Sequence, residues 1–115
     1  MYYSECCKFF EGMNDVEYEE YFINKILSDE DLSNWDVSNV QKFNWMFCDY
    51  KKFNSDLSKW NVSKAIKMTA MFDNCKMFNC DLSNWDVSNV TDMGTMFDEC
   101  TTLEKNNKIP KWYSN

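Results

Sequence analysis

Three consecutive blocks of 25 residues carry one apolar skeleton, and no other property of the chain limits its fold so strongly. The blocks are DLSNWDVSNVQKFNWMFCDYKKFNS (31–55), DLSKWNVSKAIKMTAMFDNCKMFNC (56–80) and DLSNWDVSNVTDMGTMFDECTTLEK (81–105). Leu32, Leu57 and Leu82 share a column, as do Trp35, Trp60 and Trp85, and Val37, Val62 and Val87. Further columns are Phe43/Met68/Met93, Met46/Met71/Met96, Phe47/Phe72/Phe97, Tyr50/Cys75/Cys100 and Phe53/Phe78/Leu103. A unit of this size cannot close a core alone, so such units bury their apolar faces by stacking on one another.

Two patterns follow each other inside each block. Leu32-x-x-Trp35-x-Val37 reads as a short strand whose apolar side chains point inward. Val40, Phe43, Met46, Phe47, Tyr50 and Phe53 then recur at three- and four-residue steps, the spacing of a helical stripe. Asn39, and Asn89 with Asp92 three residues on, are placed to cap that helical turn. Stacked strands lie about 4.8 Å apart, so equivalent residues meet their own copies. The column Asp36, Asn61, Asp86 then interrupts a run of stacked carboxylates with a neutral amide, which relieves like-charge repulsion.

Fragments of the same unit flank the blocks. Tyr3-Ser-Glu-Cys6-Cys-Lys-Phe9 matches Phe72-Asp-Asn-Cys75-Lys-Met-Phe78, and Ile109-Pro-Lys-Trp112 matches Leu82-Ser-Asn-Trp85. Between the first fragment and Asp31 lies NDVEYEEYFINKILSDE. Asn14 with Glu17 makes a capping-box-like start, and Tyr18, Phe22, Ile23, Ile26 and Leu27 form one apolar helical face. The expected organisation is one domain: a half repeat and capping helix in 1–30, three repeats in 31–105, and a partial repeat in 106–115.

The unit DLSNWDVSNVTDMGTMF-x-x-C-x-x-F resembles the BspA-like branch of leucine-rich repeats, the "bacterial surface protein" repeat. The resemblance covers residues 31–105, and the two fragments extend it to most of the chain. It implies a leucine-rich-repeat-like α/β solenoid, used in bacteria, protists and large DNA viruses as an adhesive or protein-binding scaffold.

Composition excludes several function classes. All 12 cationic residues are Lys, there is no His, and 19 acidic residues set the net charge at −7. An acidic chain without Arg is a poor binder of nucleic-acid phosphates. The start MYYSECCKFFEG has no basic region followed by an apolar one, so no signal peptide is expected. No apolar run approaches the roughly 20 residues of a membrane span. Six Cys without a secretory signal read as reduced thiols. The expectation is a cytoplasmic or virion-associated protein, with neither membrane nor nucleic acid as partner.

Few residues invite chemistry. Without His or Arg, catalysis lacks its usual base and oxyanion clamp, so no catalytic residue is assigned. Cys6, Cys75 and Cys100 fall in one column and read as a ladder of buried thiols. Cys75 and Cys80 are too far apart for zinc-type pairing, and no metal or cofactor is expected. Asp31, Asp56 and Asp81 open the blocks, where capping of turn N–H groups outweighs calcium binding.

If Leu, Trp and Val point inward, then Asn34, Asp36 and Ser38, Lys59, Asn61 and Ser63, and Asn84, Asp86 and Ser88 point outward. Solenoids commonly bind along such a strand face. The same rows also serve as polar ladders, and their near identity between copies favours that role. The sequence therefore points to a non-enzymatic scaffold for protein–protein interaction, a structural or assembly component of a larger complex such as a viral particle. Two alternatives stand beside it: an acidic inhibitor of a basic nucleic-acid-handling protein, and a cell-surface adhesin like longer members of the resembled family.

Overall fold

The computed structural model describes residues 32–113. The opening fragment, the expected capping helix and Asp31 lie outside these residues. Within them the three blocks lie against one another in register, each forming one rung. Backbone bonds join Gln41, Ile66 and Thr91 in series: Ile66 N donates to Gln41 O at 2.8 Å, and Thr91 N to Ile66 O at 2.8 Å.

The first half of each rung is a pair of turns. Trp35, Trp60 and Trp85 donate N–H to Leu32, Leu57 and Leu82 O at 3.0–3.1 Å. Val40, Ala65 and Val90 do the same to Val37, Val62 and Val87 O at 2.9–3.0 Å. The expected strand at Leu-x-x-Trp-x-Val is therefore a turn. Among the described residues, regular pairing is confined to isolated parallel bridges, Lys42 to Lys67 and Lys67 to Asp92.

The second half also differs from its expected helix. Residues 44–49 form consecutive turns, as do 69–74 and 94–99. In the first rung Phe43, Trp45, Phe47 and Asp49 send their N–H to Lys67, Thr69, Met71 and Asp73 O at 2.8–2.9 Å. Alternate residues Met46, Cys48 and Tyr50 bond instead three residues back, each at 3.2 Å. The second rung repeats this onto Asp92, Gly94, Met96 and Asp98 O. An α-helix would bind each N–H to its own chain four residues earlier. Here half of them reach the next rung, and left-handed residues at Trp45/Ala70/Thr95 and Asp49/Asn74/Glu99 turn the chain to allow it. The three-residue apolar spacing thus comes from stacked turns.

These turns drive the apolar columns inward. Leu32, Leu57 and Leu82 are at most 1% exposed, and Phe43, Met68, Met71 and Met96 at most 2%. Phe72 lies stacked between Phe47 and Phe97, with ring centroids 5.7 Å away on each side. Phe53 stacks on Phe78 at 5.6 Å.

The Trp column is buried and hydrogen-bonded. Trp60 Nε1 donates to Leu32 O, and Trp85 Nε1 to Leu57 O, both at 2.9 Å. Trp112 continues the column, donating to Leu82 O at 2.9 Å and stacking on Trp85 with an interplanar angle of 8°. The single helix among the described residues, α1 (Thr101–Lys105), buries Leu103 in the Phe53/Phe78 column.

Candidate interaction surface

The outward positions in the first half of each rung owe their shape to a D-x-S or N-x-S turn. Asp36 Oδ1 accepts from Ser38 N at 3.0 Å and Ser38 Oγ at 2.6 Å. Asp86 holds Ser88 in the same way, at 3.0 and 2.7 Å. Asn61 Oδ1 accepts from Ser63 N at 3.0 Å. Asp56 with Ser58, and Asp81 with Ser83, repeat the motif one turn earlier. These bonds from serine hold the carboxyls of Asp36, Asp56, Asp81 and Asp86 below their ordinary range. Asp36, Asn61 and Asp86 with their serines are thus bound back onto their own turns, which leaves Asn34, Lys59 and Asn84 as an exposed row beside them.

A second set of polar residues, missed in the sequence, links the rungs. Asn44 Oδ1 accepts Thr69 N at 3.0 Å, and Asn54 Oδ1 accepts Asn79 N at 2.9 Å. Asn74 Nδ2 donates to Asp49 Oδ1, and Asn106 Nδ2 to Asn79 Oδ1. The two asparagines expected as helix caps also bridge rungs: Lys64 Nζ donates to Asn39 Oδ1 at 3.0 Å, and Asn89 Nδ2 to Ser63 O at 2.8 Å. The available signal was Asn recurring at 25-residue spacing, as at 54 and 79.

One edge is acidic. Asp73 and Asp98 share a column beside Asp49 and Glu99, and burial, with Asp98, Asp49 and Glu99 adding to it, raises the Asp73 carboxyl above its ordinary value. Lys76 lies 3.4 Å from Glu99 across two exposed side chains. Two large apolar side chains also face solvent, Trp45 at 58% exposure and Met77 at 54%.

The described thiols are held in structural bonds. Cys75 Sγ donates to Phe47 O and Cys100 Sγ to Phe72 O, both at 2.9 Å, so these thiols repeat one structural bond in successive rungs. Burial pushes the Cys100 thiol to about 12 and Cys75 further up. Burial also lifts Cys48 and Cys80 to about 11. Cys48, Cys75, Cys80 and Cys100 are free thiols. Among the described residues no three His, Cys, Asp or Glu side chains gather as a metal site, and no helix is long and apolar enough to cross a membrane.

Residues 13–115, spanning all three rungs and the Trp112 segment, match the family described as Mycoplasma protein of unknown function, DUF285. The chain belongs to this family. No curated protein and no solved structure matches it. As a DUF285 protein it is a member of a repeat family, in keeping with its three in-register blocks.

Proposed function

We propose that this DUF285 protein is a non-enzymatic scaffold for protein–protein interaction, serving as a structural or assembly component of a larger complex such as a viral particle. Its fold, in this reading, is a leucine-rich-repeat-like solenoid of the α/β class, BspA-like, with the strand reduced to parallel bridges. The observation that carries the reading is the row of Asn34, Lys59 and Asn84, held at successive rungs by turns whose other polar groups are already engaged. Rigid rows of this kind present side chains at fixed spacing, which suits an extended partner surface. Such a protein would reside in the cytoplasm or in a virion.

A second reading is favoured by the acidic edge of Asp49, Asp73, Asp98 and Glu99. These residues, with a net charge of −7, suit an inhibitor of a basic nucleic-acid-handling protein. A surface adhesin remains the third reading, resting on the BspA-like resemblance alone. Pull-down with the wild type and with N34A/K59A/N84A separates the first two. The scaffold reading expects salt-resistant partners that the triple variant loses. Capture of basic proteins that is lost in high salt and unchanged in the variant overturns it in favour of the inhibitor.

A further inference from the structure

The face that the first rung offers the second is covered, whereas the same face of the third rung is open among the described residues. Val37 and Val40 are 1% and 4% exposed, and Phe43 is fully buried. Their third-rung counterparts Val87, Val90 and Met93 are half-buried. Two backbone groups differ in the same way. Phe43 N donates to Lys67 O, and Met68 N to Asp92 O, but Met93 N donates to no described residue. Gln41 O and Ile66 O accept from the rung beyond them, whereas Thr91 O accepts from no described residue. Of the described tail, Trp112 stacks on Trp85, and Tyr113 lies edge-on to Phe97 at 5.0 Å.

The molecule itself displays what fits this face, because Asp81–Val90 repeats Asp31–Val40 residue for residue. On the first rung lies Asn61–Thr69, NVSKAIKMT, a segment with no acidic residue and two lysines. Lys64 reaches Asn39 there, and Asn89 stands at that place in the third rung. The third rung differs at the bridge column, where Asp92 replaces Lys42. A lysine in the segment beyond therefore meets a carboxylate at the third rung, where the first rung sets Lys42 beside Lys67. Asp86 and Asp92 are both exposed along this edge.

We propose that the Val87–Met93 edge of the third rung is a docking site for an extended, lysine-bearing segment of a partner protein, which adds to the stack as a further rung. Its apolar residues cover Val87, Val90 and Met93, its backbone pairs with Thr91 O and Met93 N, and its lysines face Asn89 and Asp92. Main-chain pairing supplies affinity and side-chain complementarity supplies selection, as in strand addition generally. The inference rests on the scaffold reading and gives it a partner class and a location away from the Asn34/Lys59/Asn84 row.

The test uses the whole chain and the synthetic peptide NVSKAIKMT, followed by amide chemical shifts and Trp112 fluorescence. Saturable binding is expected, with shifts centred on Val87–Met93. A peptide with both lysines replaced by Glu, and the protein variant Asp92→Lys, should each weaken binding about tenfold or more. Val90→Lys should abolish it, and an unchanged melting curve for Asp92→Lys keeps that arm independent of folding. Absence of binding by the wild type, or equal binding of the Glu peptide, overturns the proposal. So does concentration-dependent self-association that the peptide fails to reverse, which assigns the edge to a second copy. Any of these outcomes leaves the N34A/K59A/N84A pull-down to decide the scaffold reading by itself.

Discussion

Trp60 donates its indole N–H to the carbonyl of Leu32, 28 residues earlier, at 2.9 Å. The same bond joins Trp85 to Leu57 over the same separation. A residue that looks like core filling is thus also a stitch between rungs. It gives a second donor to a turn carbonyl that already accepts the N–H three residues on.

Trp60→Ala removes both roles at once. Truncating a buried aromatic costs about 3–5 kcal/mol, a large share of the roughly 5–15 kcal/mol that a domain holds in total. Trp60→Phe keeps most of the ring burial but removes one of the two bonds to Leu32 O, which still accepts Trp35 N–H, at about 1 kcal/mol. Urea denaturation should rank the two variants in that order. Equal stability of Trp60→Ala and wild type would contradict the stitched column.

The thiols should be unreactive in the folded protein. Cys48, Cys80 and Cys100 are raised to about 11, 11 and 12, and Cys75 lies higher still. The thiolate is the nucleophile, so at pH 8 alkylation of Cys75 and Cys100 should require unfolding. Mass spectrometry after brief iodoacetamide treatment, with and without guanidinium, reads this directly. Rapid native modification of Cys75 would mean that its bond to Phe47 O does not hold.

Acid should weaken the turns. Asp36, Asp56, Asp81 and Asp86 have carboxyls below the ordinary value of 3.8 because serine hydroxyls and N–H groups bond to them. A carboxyl with a lower pKa folded than unfolded contributes stability above its unfolded value. That contribution is lost as pH falls through the folded pKa. These four therefore hold stability level near neutrality and reduce it below about pH 3.8. Asp73 acts in the opposite sense, since its raised carboxyl takes up a proton more readily folded than unfolded. The double variant Asp36→Asn/Asp86→Asn copies the arrangement at Asn61 and should flatten the acid limb in a pH series of urea melts.

Left-handed backbone at non-glycine residues leaves room for stabilisation. Thr95 is exposed with φ 55°, a conformation that β-branched residues rarely adopt. Thr95→Gly relieves that strain and should gain about 1 kcal/mol, less the entropy Gly adds to the unfolded chain. A raised Tm is expected. A lowered one would mean that the Thr95 side chain contributes more than its backbone strain costs.

Much of the core was legible from the columns alone. Leu, Trp, Val, Met and Phe recur at 25-residue spacing, and burial follows those columns because stacking is the one arrangement that shields them all. The capping role of Asp56 and Asp81 was legible too, since an aspartate two residues before a serine carries its own turn chemistry. Helix and strand were not legible: apolar residues at three-residue steps look alike whether an α-helix or a chain of turns produces them. The choice between the two rests on where each N–H finds its acceptor, and for alternate residues that acceptor lies in the next rung, as with Phe43 N and Lys67 O.

The outward rows divide along the same line. The sequence by itself determined which residues face away from the core, because alternation around Leu, Trp and Val sets that locally. Only the tertiary structure decided that Asp36, Asn61 and Asp86 are occupied with their serines, that Asn44 and Asn54 hold neighbouring rungs together, and that Val87, Val90 and Met93 stay half-buried where their first-rung counterparts are covered. Each of these depends on which rung lies beside which, and neighbours in a stack are set by packing across the repeat rather than by residues adjacent in the chain.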